Sequence, residues 1–194
     1  MKHKMRKLIP ILLCLVSVFT FASPEVGKEV ADFSGKTIDG KSVKLSDFKG
    51  KIVVLEWYNP TCPFVKKFYG AGKMQDYQAQ VTSAGQIWIT INTGGKVPDL
   101  KKAVTTDKNK ASVVIDDSDG TIARMFEAKT TPHCFVINKE GVLVYKGAID
   151  SISSTKTADI EKATNYVLSA VTAVQNGQKV EVSSTKPYGC GVKY

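Results

Sequence analysis

Two apolar runs separated by a helical stretch place the strongest constraint on the fold. Residues 52–55 ("IVVL") and 86–92 ("QIWITIN") are the runs, and such segments are typical of strands buried on both faces of a sheet. Residues 63–83 between them have helical composition broken at Gly70-Ala71-Gly72, which predicts a kinked helix or two helical pieces. Strand, helix and strand in this order predict a right-handed parallel crossover and an α/β fold.

The flanking segments complete the predicted order of elements. The turn signal Asp39-Gly40 predicts an N-terminal hairpin built from residues 37–38 and 42–45. Turn signals and apolar spacing further predict a helix near 98–108, a strand at 112–116, a short helix at 120–127, two strands joined by 138–141, and a helix over 157–175 ended by Gly177. The segment 179–194 has no core pattern and is expected to form a mobile tail.

The first 22 residues predict an export signal followed by one domain. The chain starts with four basic residues, Lys2, Lys4, Arg6 and Lys7. An apolar segment follows at 8–21, and Thr20-Phe21-Ala22 forms a small-x-small cleavage site. An uncleaved membrane anchor is the alternative, but spanning a bilayer takes roughly 20 apolar residues and this segment is shorter and contains Pro10. We therefore expect a signal peptide at 1–22, a domain at 23–178 and a tail at 179–194.

Charge and cysteine content narrow the function classes. The formal charge of +9 becomes +5 once the four basic signal residues are removed, and the lysines are spread along the chain. A modest, dispersed charge favours a solvated surface over nucleic-acid binding. Cys62, Cys134 and Cys190 remain after export. Because an odd number leaves at least one thiol free or intermolecular, the cysteines are not a purely structural disulfide framework.

Cys62 is the candidate nucleophile. It follows the turn Asn59-Pro60-Thr61 after the first buried strand and precedes Pro63, a residue that suits the first position of a helix. At such a position unpaired backbone N–H groups and the helix dipole stabilise a thiolate, and Lys66 adds positive charge if it faces the sulfur. A buried structural cysteine is the alternative, although the open end of a parallel sheet is where α/β proteins place their sites.

Glu56 is a second candidate catalytic residue. An acid directly after the apolar run 52–55 is unfavourable in a covered strand unless it is paired or has a task. Burial is expected to raise its pKa and to suit it to proton transfer to and from a thiol. The alternatives are that Glu56 points to a solvent-exposed edge of the strand or that it pairs with a lysine.

Two longer stretches carry a family resemblance. "DGKSVKLSDFKGKIVVLEWYNPTCPF" and "KTTPHCFVINKEGVLVYKGAID" together resemble the thioredoxin-fold redoxins, which include periplasmic thiol-disulfide oxidoreductases and the alkyl hydroperoxide reductase/thiol-specific antioxidant proteins. The resemblance implies a central mixed sheet flanked by helices. It also implies that Cys62 is the attacking cysteine, that Glu56 is the buried acid, and that Thr131-Pro132 is a cis-proline loop that holds substrate backbone.

The sequence departs from the family pattern at two positions. Val65 stands where the thioredoxin motif has its second cysteine, so neighbouring residues cannot form the disulfide. Asn59 stands where peroxiredoxins have a threonine that positions peroxide, which weakens a peroxidase assignment, although Asn59 still offers a hydrogen bond to substrate. Arg124 is the one arginine after residue 22, and its place relative to Cys62 does not follow from the sequence.

A lone attacking cysteine needs a resolving thiol from the chain or from a partner. Cys190, in "TKPYGCGVKY", is the first candidate, because a mobile glycine-flanked tail could carry it to Cys62. Tyr188 and Tyr194 either dock this tail or simply pack on the surface. Cys134 is interpreted as core filler, with a redox partner as the alternative, and strand alternation points it away from His133.

These observations predict an exported thiol-dependent oxidoreductase that is periplasmic, with extracellular release as the alternative. Its substrates would be protein disulfides or peroxides, an upstream thiol would reduce it, and no cofactor, nucleic acid or membrane span is expected in the mature chain. Two rivals from other classes stay open. One is a copper chaperone using Cys62, His133 and Cys134, although position 66 is lysine where copper-binding relatives have cysteine; the other is a binding module without turnover.

Overall fold

A computed structural model describes residues 23–194, so the predicted export signal at 1–22 lies outside the described residues. The strands are β1 (Ser34–Thr37), β2 (Ser42–Lys44), β3 (Val53–Trp57), β4 (Ile87–Thr93), β5 (Val113–Asp117), β6 (Thr130–Thr131), β7 (Cys134–Ile137), β8 (Leu143–Gly147) and β9 (Cys190–Gly191). The α-helices are α1 (Pro63–Gly70), α2 (Lys73–Ser83), α3 (Leu100–Thr106), α4 (Thr121–Phe126) and α5 (Tyr166–Gln175), and short 3-10 turns cover Leu45–Phe48 and Thr157–Asp159.

Seven strands form one mixed sheet in the order β2-β1-β5-β4-β3-β7-β8. Strands β3, β4 and β5 are parallel, whereas β1 and β7 run antiparallel to their neighbours β5 and β3. The crossover from β3 to β4 contains α1 and α2, which are separated at the glycine-containing break that the sequence indicated. The predicted hairpin is present as β1 and β2. The α/β class and the thioredoxin-like arrangement are therefore confirmed.

Apolar side chains cover both faces of the sheet. One core cluster joins the sheet to α1, α2, α3 and α5, and it includes Cys62 and Cys134. The other cluster packs α4 against the opposite face of the sheet, and it includes Trp57 of β3. Because β3 is buried along its whole length, the edge at which it ends is held rigidly between two packed layers. This edge positions the candidate site.

The predicted helix over 157–175 is wrong in its first half. Only Thr157–Asp159 forms a 3-10 turn there, and α5 begins at Tyr166. The preceding residues instead bond to the chain after β8, with Ser151 donating to the Thr164 carbonyl and Tyr166 donating to the Ile149 carbonyl. Asn165 then caps α5 by accepting from the Leu168 N–H at 2.9 Å.

The segment 179–194 is packed against the domain, contrary to the expectation of a mobile tail. Val180 is buried, and the chain then runs beside β8, where the Lys146 N–H donates to the Ser183 carbonyl and the Lys146 carbonyl accepts from the Thr185 N–H. It ends in β9, which pairs with β6. Among residues 23–194 there is no helix long and apolar enough to cross a membrane.

Candidate active site

Cys62 lies at the N-cap of α1, as its position before Pro63 predicted. Its backbone N–H donates to the Asn59 carbonyl at 3.1 Å, and its own carbonyl accepts from Val65 at 3.0 Å and Lys66 at 2.9 Å. The residue is only 2% exposed. The strand-to-helix turn therefore fixes the sulfur at the edge of the sheet and beneath the neighbouring loops.

The loop before β7 closes over the Cys62 sulfur. The Thr131-Pro132 peptide is cis, which confirms the expectation from the family resemblance. The Cys62 thiol donates to the Thr131 carbonyl oxygen at 3.0 Å. Thr131 and Pro132 thus lie at the sulfur, where the sequence expected a substrate-binding loop.

Cys190 also lies at the Cys62 sulfur. In the register of β6 and β9, Cys190 pairs with Thr131 and Gly191 pairs with Thr130. The thiols of Cys62 and Cys190 are within hydrogen-bonding reach of each other. Folding therefore brings together two thiols that are far apart in the sequence.

Hydrogen bonds set the ionisation of the two thiols in opposite directions. Burial alone would raise the pKa of Cys62, but hydrogen bonds from the side chains of Cys190 and Thr131 and from the N–H groups of Cys190 and Val65 outweigh it and lower this pKa. Burial and the hydrogen bond and charge of Cys62 raise the pKa of Cys190 to about 11. Cys62 is therefore the more acidic thiol of the pair, and Cys190 is the weaker acid.

Lys66, the cation that the sequence placed near Cys62, is exposed. The lowering of the Cys62 pKa comes first from Cys190 and Thr131. The next residue, Lys67, is instead the buried one. Asn59 uses its side-chain oxygen to accept from the N–H and hydroxyl of Thr61 at 2.9 and 2.8 Å, so it shapes the turn before Cys62; its contact with substrate stays a prediction.

Glu56 is fully buried in a network of neutral donors. Its carboxylate accepts from Trp88 Nε1 at 2.8 Å, and also from Tyr69, Gln78 and Thr90. Burial raises its pKa to about 7 despite these hydrogen bonds, as the sequence predicted. Within residues 23–194, no hydrogen bond joins Glu56 to Cys62, so its role in proton transfer stays a prediction.

Cys134 and His133 point to opposite faces of the sheet, as strand alternation predicted. Cys134 is fully buried opposite Glu56 in the β3–β7 register, and burial together with the charges of Glu56 and Asp150 raises its pKa. The His133 ring packs on Phe135 with centroids 4.4 Å apart, and burial lowers its pKa to about 3. No cluster of three His, Cys, Asp or Glu side chains suited to a metal ion occurs in the described part of the chain.

The tail is anchored on both sides of Cys190. Before it, the Tyr188 hydroxyl donates to Asp150, and the Tyr188 ring lies 5.7 Å from that of Phe64. After it, Val192 donates to the Lys129 carbonyl at 3.0 Å. Farther on, the Tyr194 hydroxyl donates to the Ala128 carbonyl at 2.8 Å, with Arg124 over its ring. Sequence reasoning missed Lys67 and Asp150, since a single lysine and a single aspartate carry no spacing signal.

The fold defines a thioredoxin-like protein with a cysteine, Cys62, at the strand-to-helix turn. Comparison with known proteins gives the particular family. A model described as the AhpC/TSA family matches residues 26–146, and the chain belongs to this family. The expected class, an oxidoreductase of the thiol-disulfide or peroxiredoxin-like kind, is confirmed.

One curated relative agrees with this class, and two solved structures share the fold. The thiol-disulfide oxidoreductase ResA of Bacillus thuringiensis subsp. konkukian (strain 97-27) is 27% identical over 154 residues, which cover 72% of this chain and 83% of that protein. A hypothetical protein of Sinorhizobium meliloti 1021 has the same fold, with a TM-score of 0.71, 22% identity, and coverage of 89% of this chain and 96% of its own. The thioredoxin domain of a thiol-disulfide oxidoreductase from Bacteroides vulgatus matches with a TM-score of 0.55, 23% identity, and coverage of 72% and 98%.

Proposed function

We propose that this protein is an exported thiol-dependent oxidoreductase in which Cys62 attacks the substrate and Cys190 resolves the product. The observation that carries the proposal is that both cysteines meet Thr131: the Cys62 thiol donates to the Thr131 carbonyl oxygen at 3.0 Å, and Cys190 pairs with Thr131 in the β6–β9 register. The lowered pKa of Cys62 and the raised pKa of Cys190 agree with this placement. A resolving thiol must reach the sulfur that has reacted, and Cys190 reaches it from β9.

The reaction proceeds in two displacements. The Cys62 thiolate attacks a sulfur of a disulfide, or the terminal oxygen of a peroxide, and a mixed disulfide or a sulfenic acid forms as a thiolate or an alkoxide leaves. Cys190 then loses its proton and attacks the Cys62 sulfur. The Cys62–Cys190 bond forms, and the second half of the substrate leaves as a thiol or as water. The two thiols have given two electrons to the substrate, and an external dithiol returns them.

The coupling of the two thiols supplies an order for these displacements. While Cys62 is an anion, its hydrogen bond and charge contribute to the raised pKa of Cys190. Once Cys62 is bonded to substrate, its negative charge is gone and these two causes disappear. Cys190 therefore becomes easier to deprotonate at the stage at which it is needed as a nucleophile.

A substrate disulfide and a substrate peroxide are both compatible with this sequence of steps. Thr131 and Pro132 are proposed to hold substrate backbone, and Asn59 is proposed to offer a polar contact. Glu56, with a pKa of about 7, is proposed to take up and release the proton through the groups around it. Protein partners are then a disulfide substrate and a thiol reductant.

The experiment that tests the proposal maps the disulfides of residues 23–194 by mass spectrometry without reduction. The protein is treated with one equivalent of hydrogen peroxide or with oxidised glutathione, in parallel with Cys62→Ser, Cys190→Ser and Cys134→Ala. We expect a Cys62–Cys190 bond in the parent and in Cys134→Ala. Cys190→Ser should stop at a sulfenic acid or a glutathione adduct on Cys62. A Cys62–Cys134 bond, or a Cys62 that stays a free thiol, would overturn the proposal.

Export is tested separately by expressing the full chain in a bacterium with two membranes. We expect the protein in the periplasmic fraction with Ser23 at its N-terminus, because the basic start, the apolar segment and the cleavage site fit a signal peptide. A matched chain with Leu12 and Leu13 changed to Arg should keep the full length and stay in the cytoplasm. Full-length protein in the membrane fraction would instead support the uncleaved anchor.

A further inference from the structure

A buried ion pair is joined through Tyr188 to the segment that carries Cys190, and it has no part in the displacements above. Lys67 of α1 and Asp150, which follows β8, are 4% and 3% exposed. Lys67 Nζ is 3.3 Å from Asp150 Oδ2, is 3.5 Å from the Ile152 carbonyl oxygen, and lies over the Phe68 ring at 4.5 Å. A buried pair of this kind contributes little net stability, because the loss of hydration offsets the attraction. Its position therefore calls for another reason.

The third member of the cluster comes from the tail. The Tyr188 hydroxyl donates to Asp150 Oδ1, the oxygen that also accepts from the Ile152 N–H at 3.1 Å. The Tyr188 ring is held between Phe64 and Lys67, whose Nζ is 5.8 Å from the ring centroid. Asp150 thus binds Lys67 of α1 through Oδ2 and Tyr188 of the tail through Oδ1.

The link between this cluster and the resolving thiol is one residue long. Gly189 separates Tyr188 from Cys190 and has a φ of +133°, and a Cβ placed there would overlap the Thr131 carbonyl oxygen. Because Gly189 runs in contact with the cis-proline loop, the position of Tyr188 largely determines the position of Cys190. A contact that holds Tyr188 in place therefore also holds the Cys190 thiol in place.

We propose that Asp150, held by Lys67, is a positioning residue that acts through Tyr188 to keep the Cys190 thiol at Cys62. This inference rests on the proposed resolving role of Cys190. The anchor raises the effective concentration of Cys190 at the sulfur, and so favours the Cys62–Cys190 bond over mixed disulfides with other thiols. It also keeps Cys190 where it can donate to the Cys62 thiolate.

A carboxylate suits this task better than an apolar socket. A hydrogen bond to an ionised acceptor is stronger and more directional than contact between apolar groups, which can slide over one another. Lys67 orients Asp150 through the contact at Oδ2. The Tyr188 side chain is held by one hydrogen bond to Asp150 and by ring contacts with Phe64 and Lys67.

The test measures the equilibrium of the Cys62–Cys190 disulfide against glutathione in Tyr188→Phe. This variant keeps the ring and removes the hydroxyl that Asp150 binds. We expect the equilibrium constant for the intramolecular disulfide to fall roughly tenfold, the effect of losing a hydrogen bond to a charged group. The pKa of Cys62, read from the pH dependence of its alkylation rate, should rise. Tyr166→Phe is the matched control, since it removes a tyrosine hydroxyl of α5 outside the tail, and both values should stay at those of the parent.

A second pair of variants separates positioning from general stability. In a Cys190→Ala background, Tyr188→Phe should change the Cys62 alkylation rate less than it does in the parent, because only the backbone N–H of residue 190 is left to position. Asp150→Asn should lower the disulfide equilibrium constant as Tyr188→Phe does; if it fails to fold, Tyr188→Phe alone decides.

The outcomes distinguish the two proposals. If the parent forms a Cys62–Cys190 bond and Tyr188→Phe forms it with the same equilibrium constant, the positioning role is wrong and the resolving role stands. If the parent does not form the bond at all, the resolving role itself is wrong.

Discussion

Cys62 and Cys134 belong to the same core cluster, yet their surroundings give them opposite ionisation behaviour. Burial would raise the pKa of Cys62, but the side chains of Cys190 and Thr131 outweigh it, and this pKa is lowered. Cys134 is buried near the negative charges of Glu56 and Asp150, and its pKa is raised. Because both residues are buried, the nearby dipoles and charges decide whether the pKa of each thiol is lowered or raised.

The largest expected effect comes from removing Cys62, with the removal of Cys134 as its comparison. Cys62→Ser should lower the reduction of a disulfide or peroxide to the uncatalysed background, because a serine hydroxyl is not ionised at neutral pH. Cys134→Ala should keep activity within a few-fold of the parent and lose only some stability, as expected for a small buried group. Turnover with dithiothreitol as reductant measures both. Equal losses of activity in the two variants would contradict the difference between Cys62 and Cys134.

The next effect concerns Glu56, the acid whose charge raises the pKa of Cys134. The pKa of Glu56 rises from 4.5 to about 7 on folding, so its contribution to stability is complete below about pH 4.5 and is lost as the pH rises through about 7. That loss amounts to about 3 kcal/mol for a shift of this size. Glu56→Gln, which stays neutral, should remove this part of the pH dependence of the free energy of unfolding.

Urea unfolding at several pH values between about 4 and 8 measures the Glu56 effect, with Glu140→Gln in the exposed β7–β8 turn as the control. Glu56→Gln should also lower the pKa of Cys134. An unchanged pH profile in Glu56→Gln would show that the buried carboxyl is not the group responsible.

A smaller effect is expected from Thr131→Val. The Thr131 side chain is one of the groups that lower the pKa of Cys62, so its loss should raise this pKa by up to about one unit, the equivalent of one hydrogen bond. Thr130→Val is the control on the same strand, because the Thr130 hydroxyl donates to the Pro132 carbonyl at 3.0 Å. The rate of Cys62 alkylation against pH gives both values. A larger shift in Thr130→Val than in Thr131→Val would contradict the assignment.

The smallest effect is expected at the far end of the tail. Tyr194 lies four residues after Cys190 and is 56% exposed. Its hydroxyl donates to the Ala128 carbonyl. Tyr194→Phe should change the Cys62–Cys190 equilibrium by about two- to threefold, the effect of a neutral, partly solvated hydrogen bond. Titration against glutathione measures it. An effect larger than that of Tyr188→Phe would place the main anchor after Cys190 rather than before it.

Much of the fold followed from local patterns. The strands at 52–55 and 86–92, the broken helix between them and the hairpin at Asp39-Gly40 all appear with small shifts of their ends. These features depend on neighbouring residues and on hydrophobic period, which a sequence displays directly. The helix over 157–175 was predicted too long, because its apolar spacing continues through a segment whose backbone bonds to residues 149 and 151.

The candidate site divides in the same way. By itself the sequence determined that Cys62 would precede a helix at a sheet edge, that a buried Glu56 would follow the strand core, and that no second cysteine lies three residues on. Each of these depends on residues adjacent in the chain. Only the tertiary structure decided that the segment 179–194 folds back, that β9 pairs with β6, and that Asp150 holds Tyr188. Such contacts join residues more than thirty positions apart, and their free energy comes from burial and hydrogen bonds that no local pattern encodes.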